Sequence, residues 1–143
     1  MFAIKSDPKV TEAYGAEPHR SIEETKEWAI GSCCYWHFDW ESKCAELGHE
    51  LHRSYWGKGI MTEALVSVLA YGLDGVRLNR VEASPLAENA ASSVLLLKLG
   101  FKHEGNLRQR VFFRGRDANQ YYYGLLKSEW SPMTSGAPAP GAV

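Results

Sequence analysis

No apolar run in the 143 residues approaches the roughly 20 that a transmembrane helix needs. The N-terminal M-F-A-I-K-S-D-P also lacks the apolar core and cleavage site of a signal peptide. A cytoplasmic protein with no membrane partner is therefore expected. Charge of one sign is missing too. Sixteen Lys and Arg stand against 17 Asp and Glu, a net charge of -1, which gives no global reason to expect a nucleic-acid partner. Cysteine is scarce. Cys33 and Cys34 are adjacent and Cys44 stands apart, so there is no C-x-x-C pair. Neighbours on a strand face opposite sides, and His49 and His52, three apart, do not have a zinc spacing. No metal is expected, and the cysteines read as small buried hydrophobes. There is no six-residue P-loop frame and no internal repeat. A dinucleotide fingerprint is excluded because Thr62 holds the place of its third glycine.

What is present is the composition of an ordinary globular domain, 45% apolar and 23% charged, long enough for one core. The most informative stretch runs from Leu51 to Leu73. A strand ends at Leu51, a basic and aromatic turn follows with Gly57 and Gly59, and a helix is predicted from about Gly59 to Gly72. Its apolar stripe is Ile60, Ala64 and Val68, with Met61, Leu65 and Leu69 beside them. The first turn of a helix has free N–H donors and the positive end of the macrodipole, which suits a phosphate or pyrophosphate. The glycines alone leave two readings open, because a tight turn also needs glycine for its own backbone angles.

Around this stretch the chain reads as alternating elements. Asp7-Pro8 can open a short helix, and Ser21-Ile22-Glu23-Glu24 has the form of a capping box. Strands are predicted over 30–38 and 44–51, the second with Ala45, Leu47, His49 and Leu51 on one face and Glu46, Gly48 and Glu50 on the other. A short strand over 79–84 is stopped by Pro85. A second helix begins at Asn89 or Glu88, with Ala91, Leu95 and Leu99 as its stripe and Gly100 as a left-handed cap. Phe101 leads into a strand that bends near Gly105 and continues over 108–114. A tip at 114–117 and a return strand over 119–126 follow. The pattern predicts a mixed α/β (α+β) domain over 1–130, mostly antiparallel, with one parallel crossover around the first long helix. The tail, 131–143, is rich in Pro, Gly, Ala and Ser and is expected to be disordered.

The run A-E-L-G-H-E-L-H-R-S-Y-W-G-K-G-I-M-T-E-A-L resembles the acetyl-CoA-binding segment of the GNAT superfamily of N-acetyltransferases, and within it the RimJ/RimL branch. N-R-V-E-A at 79–83, N-A-A-S-S-V-L-L-L-K-L-G-F at 89–101, E-G-N-L-R at 104–108 and Y-Y-Y-G-L-L-K-S-E-W at 121–130 resemble further segments of that branch in the right order. The resemblance implies a GNAT-like sheet flanked by helices and acetyl-CoA as cosubstrate. Amides of Gly57, Lys58, Gly59, Ile60, Met61 and Thr62 would cradle the pyrophosphate, and His49, Glu50 and Leu51 would pair with the pantetheine arm. Trp56 stands in the superfamily's Arg/Gln slot and Met61 in its second small position, as in the RimJ/RimL branch.

Acetyl transfer needs a neutral amine, donors for the oxyanion and a partner for the leaving thiolate. Glu82 resembles a base position of the superfamily; pairing with Arg80 on the same strand face is its bland alternative. Glu46 and Glu50 are further carboxylates, each readable as a solvated charge. Asn89 is a good N-cap whatever the function; the resemblance adds a contact to the pantetheine or substrate backbone. It also places the Ser92 hydroxyl near the sulfur, since Leu96 fills the slot where some relatives carry tyrosine. Trp36 and Trp40 could line the acceptor pocket or pack in the core. Arg108, Arg110, Arg114 and Arg116 read as solvated charges. The expected reaction is transfer of acetyl to a primary amine, a protein N-terminal α-amine first and a small amine second, by direct attack in a ternary complex.

Compared with that branch the N-terminal third is short. At least one strand and its turn are expected to be missing between Trp28-Ala29 and Ile30. An open sheet edge would then invite a homodimer. A shortened, non-catalytic CoA-binding protein is the competing reading from another functional class.

Overall fold

The computed structural model describes residues 30–131. The short helix at Asp7-Pro8, the capping box at Ser21, the shortened N-terminal third and the tail all lie outside the described residues. The chain divides into two compact units, and each is described by itself. One holds 30–32 and Glu50–Lys58 among the described residues; the other holds Cys33–His49 and everything described from Gly59 onward.

Most of the fold is one five-stranded sheet in the order β1-β2-β3-β5-β4. Its strands are β1 (Gly31–Asp39), β2 (Cys44–Leu51), β3 (Arg80–Ala83), β4 (Lys102–Phe113) and β5 (Arg116–Leu126). β2 and β3 are parallel, which requires a crossover, and helix α1 (Ile60–Ala70) supplies it. β3 pairs antiparallel with β5, and β5 with β4. The mixed, mostly antiparallel sheet matches the expectation from the sequence. The bend expected near Gly105 is a register shift between His103 and Gly105, and a second shift lies between Leu107 and Val111.

Alternation along the strands sorts the two faces. Ala45, Leu47, Val81, Ala83, Tyr123 and Leu125 are all buried. Both helices cover this face. Tyr35 of β1 donates its hydroxyl to Val68 O of α1 at 3.0 Å, and Ser92 of helix α2 (Ala90–Lys98) meets His49 of β2. Met61, Leu65 and Leu69 form the buried stripe of α1, while Ile60, Ala64 and Val68, the stripe expected from the sequence, are half-buried beside it.

Two helical expectations are corrected. α1 does not run as an α-helix to Gly72: it ends at Ala70 and widens into a π-turn over Tyr71–Gly75. The Tyr35 ring lies where a Cβ at Gly72 would stand, and its hydroxyl bonds into the carbonyl ladder at Val68. Such insertion is a recognised cause of local widening. In α2 the buried positions are Leu96 and Leu99, while Ala91 is exposed, so the face toward the sheet is rotated from Ala91–Leu95–Leu99. Gly100 has φ 93°, and Phe101 N–H reaches Leu96 O at 3.0 Å, closing the helix as expected for a left-handed cap. Trp36 and Trp40 are not core residues; they are 47% and 67% exposed.

In the smaller unit, His52 N–H bonds Ile30 O at 2.6 Å and Ser32 donates to Glu50 at 3.0 Å. A single 3₁₀ turn, Arg53–Tyr55, is capped by His52 Nδ1, and Trp56 Nε1 donates to Leu51 O at 2.8 Å. The Arg53 guanidinium lies over the Trp56 ring and the Lys58 ammonium over the Tyr55 ring.

Leu65 is fully buried, so Leu65→Ala removes apolar contact and leaves a cavity against the sheet. The expected cost is about 2–5 kcal/mol in chemical denaturation; a loss below about 1 kcal/mol would mean that α1 does not anchor the core.

Candidate functional site

The parallel pairing of β2 and β3 covers only three residue pairs, Cys44↔Arg80, Ala45↔Val81 and Glu46↔Glu82. β2 continues to Leu51, but β3 stops at Ala83. Beyond Glu46 the β3-facing backbone groups of β2 therefore have no β3 partner. The chain leaving β3 is drawn toward β5 instead. Gln120 Nε2 donates to Ser84 O at 2.9 Å, Tyr121 N–H to Pro85 O at 3.0 Å, and Ala87 N–H to Asn119 O at 2.9 Å. Pro85 could not have extended the ladder, since it has no N–H. The strands thus part like a fork.

On the helix-covered face, the fork is flanked by His49 and Ser92. Asn89 Oδ1 accepts from Ser92 N–H at 3.1 Å, the N-cap bond its position predicts. The Ser92 Oγ lies 3.2 Å from His49 Nε2. Burial pushes the His49 imidazole below its ordinary value, so it is neutral at pH 7.

The start of α1 supplies donors. Gly59 is its N-cap with φ 77°, and having no side chain it makes no capping bond of its own. Among the described residues, nothing beyond its chain neighbours lies within 4 Å of where a Cβ at Gly59 would stand. The amides of Ile60, Met61 and Thr62 head the helix, while the Met61 side chain turns into the core at 8% exposure. A helix start with a glycine cap, open space beside it and a positive dipole end fits a phosphate. Glu50, Leu51, Gly57 and Lys58 belong to the smaller unit. There Gly57 has φ 72°, the Glu50 side chain accepts from Ser32, and Lys58 is exposed.

On the opposite face the carboxylates cluster. Arg80 Nε donates to Glu82 at 2.7 Å, and its two terminal nitrogens donate to Glu104 at 3.0 and 2.5 Å. The hydrogen bonds from Arg80 hold the Glu104 carboxyl below its ordinary value, and those from Glu104 raise Arg80 further. The guanidinium crosses Gly124, where a Cβ would fall 2.5 Å from Arg80 and Glu104 atoms. Glu82 thus has the Arg80 pairing weighed against its catalytic reading, with one carboxylate oxygen bonded to the guanidinium. Glu46 is not the solvated charge its pattern predicts. Its side chain is 19% exposed, accepts from Ser84 Oγ, and meets His37 Nδ1 at 2.8 Å. Burial pushes the Glu46 carboxyl up, but hydrogen bonds from Ser84, His37 and Trp36 outweigh it and leave it below the ordinary value. The sequence could not show the Ser84 and His37 partners, since those contacts depend on the fork and on a left-handed His37 with φ 45°. Arg116 is paired, to Glu88 at 2.6 Å.

Because folding lowers the Glu46 pKa, the ionised group adds stability that is full above the unfolded value, about 4.3, and is lost as pH falls through the folded one. The stability gap between wild type and Glu46→Gln is expected to narrow as denaturation is repeated at lower pH between about 7 and 3. A gap independent of pH would mean that the charge on Glu46 is not what Ser84 and His37 hold.

Residues 1–102 match the family described as acetyltransferase (GNAT) domain. The chain is 40% identical over 110 residues to the uncharacterized N-acetyltransferase p20 of Bacillus licheniformis, covering 77% of this chain and 61% of that protein. It is 29% identical to the ribosomal protein uS5-alanine N-acetyltransferase of Escherichia coli, covering 60% of this chain and 44% of that one. Among solved structures, Mycobacterium smegmatis RimJ in complex with CoA-disulfide superposes with a TM-score of 0.66 at 27% identity, over 70% of this chain and 48% of that one. The chain thus spans less than two thirds of the length of each of these three proteins.

Proposed function

The chain belongs to the GNAT acetyltransferase family, and on that premise we propose that it moves the acetyl group of acetyl-CoA to a primary amine, with a protein N-terminal α-amine as preferred acceptor. The observation that carries this reading is the fork between β2 and β3, with a serine hydroxyl on one face and carboxylates on the other. The likeness to the uS5-alanine enzyme favours an α-amine.

The chain's residues divide the work. The amides of Ile60, Met61 and Thr62, with that of Gly59 before them, hold the pyrophosphate. The edge of β2 that β3 leaves at His49 pairs with the pantetheine amides, and Asn89 holds the same arm with its amide nitrogen. The carboxylate oxygen of Glu82 that Arg80 leaves free takes the amine proton, directly or through water. An α-amine, with a reference pKa near 7.7–8.0, gives up that proton far more easily than lysine near 10.4, so a carboxylate suffices as base. Ser92 donates to the leaving sulfur.

Thiol release from acetyl-CoA, measured with alanine-initiated peptides, lysine amides and spermidine, tests the reaction and its acceptor. Turnover is expected with the peptide α-amine. Faster turnover of spermidine would reassign the acceptor, and acetyl-CoA binding without any turnover would favour a non-catalytic role. Glu82→Gln is expected to lower kcat by about 100-fold or more; if Glu46→Gln does so and Glu82→Gln does not, the base is Glu46.

Gly59→Glu places a carboxylate at the helix start and is expected to weaken acetyl-CoA binding by more than about tenfold in calorimetry. Gly59→Asn, which tolerates a left-handed backbone, separates charge from strain and is expected to keep binding. Normal binding by a folded Gly59→Glu protein would remove the pyrophosphate from this turn.

A further inference from the structure

Helix α2 does not need His49 for its start, because Asn89 already caps it. β2 does not need an imidazole either: the two preceding positions on the same face, Ala45 and Leu47, are apolar and buried. Yet His49 stands past the last residue paired to β3 and brings Nε2 to 3.2 Å from the Ser92 hydroxyl, 43 residues along the chain. The Ser92 main chain is held through its own N–H to Asn89 Oδ1, so the free variable at this position is the rotation of the hydroxyl proton. A hydroxyl has one proton to give and two lone pairs to accept with. Whichever partner meets it decides which way that proton points.

We propose that His49 is a positioning residue for Ser92: its Nε2–H donates to Ser92 Oγ and so turns the serine's own proton out of the pair, toward the leaving sulfur. The neutral, half-buried ring has one N–H to give, and giving it to Ser92 occupies a serine lone pair. The opposite tautomer would draw the serine proton toward the ring and leave the sulfur without a donor.

This inference rests on the proposed acetyl transfer, and the step balances within it. The amine nitrogen forms a bond to the acetyl carbon, and the carbon–sulfur bond breaks with its electron pair on sulfur. The proton lost by the amine passes to Glu82 and then to solvent. The sulfur leaves as a thiolate hydrogen-bonded by Ser92 and takes a proton from solvent. Neither Ser92 nor His49 changes its proton count. A thiolate, with a reference thiol pKa of about 8.5, is a sufficient leaving group for a hydrogen bond rather than full protonation to matter.

The test is a double-mutant cycle in kcat with saturating acetyl-CoA. Ser92→Ala and His49→Ala are each expected to lower kcat by about tenfold, the worth of one hydrogen bond realised at the transition state. The double variant is expected to be no slower than Ser92→Ala, because His49 acts only through the hydroxyl. His49→Gln, whose amide can also donate to Oγ, is expected to recover to within about threefold of wild type, while KM for acetyl-CoA moves less than about twofold in each variant. Losses that multiply in the double variant, or a Gln variant as slow as the Ala variant, would overturn the proposal.

A second readout does not depend on turnover. The ¹⁵N shifts of the labelled imidazole are expected to report an Nε2–H tautomer in wild type that is disturbed by Ser92→Ala. An Nδ1–H tautomer would overturn the positioning role. A wild-type protein that shows the Nε2–H tautomer but acetylates no amine would instead overturn the acetyl-transfer reading and leave the pair standing.

Discussion

The site depends on where two parallel strands stop being neighbours. β2 and β3 share three residue pairs, and then β3 gives way to Ser84 and Pro85, whose carbonyls are taken by β5. A parallel pair forces a crossover, and the crossover helix α1 must start beyond the carboxyl end of β2. One topological fact therefore brings the end of β2 that β3 leaves at His49 and the start of α2 together. Had β3 continued alongside β2 to Leu51, the backbone would have bonded to itself and left nothing for a ligand to pair with.

The residues around the fork sort by face. The helix-covered side brings together His49, Asn89 and Ser92, which differ by one proton-bearing ring, one amide and one hydroxyl. The other side brings together Glu46, Glu82 and Glu104, with Arg80 and His37 bonded to them. Arg80 serves Glu82 and Glu104 at once and stays charged throughout the accessible pH range. An ion network of this kind gains rigidity more than net free energy, because each partner gives up water to join it.

Much of this was legible in the sequence, for definite reasons. The elements and the ends of α2 followed alternation and caps: Asn89 caps α2 and Gly100 closes it. The pairing of Glu82 with Arg80 followed from their spacing of two on a strand. What could not be read depends on contacts between distant elements. The widening of α1 at Tyr71 lies where Tyr35, from β1, bonds Val68 O and fills the space at Gly72. The buried side of α2 is set by where Ser92 meets His49, not by its own spacing. Trp36 and Trp40 are apolar by type, yet their strand leaves them largely exposed. Glu46 has the same strand signature as Glu50, but only Glu46 sits where Ser84 can cross the fork to reach it.

Gly124 carries a consequence beyond its own strand. The Arg80 guanidinium occupies the space that any side chain at position 124 would need, and Glu104 closes the same space from β4. Positions 80, 104 and 124 are therefore one unit of sequence spread over three strands. A side chain placed at position 124 would push the guanidinium and the Glu104 carboxylate out of this space, so the bare backbone of one strand is what lets the arginine of a second reach the glutamate of a third.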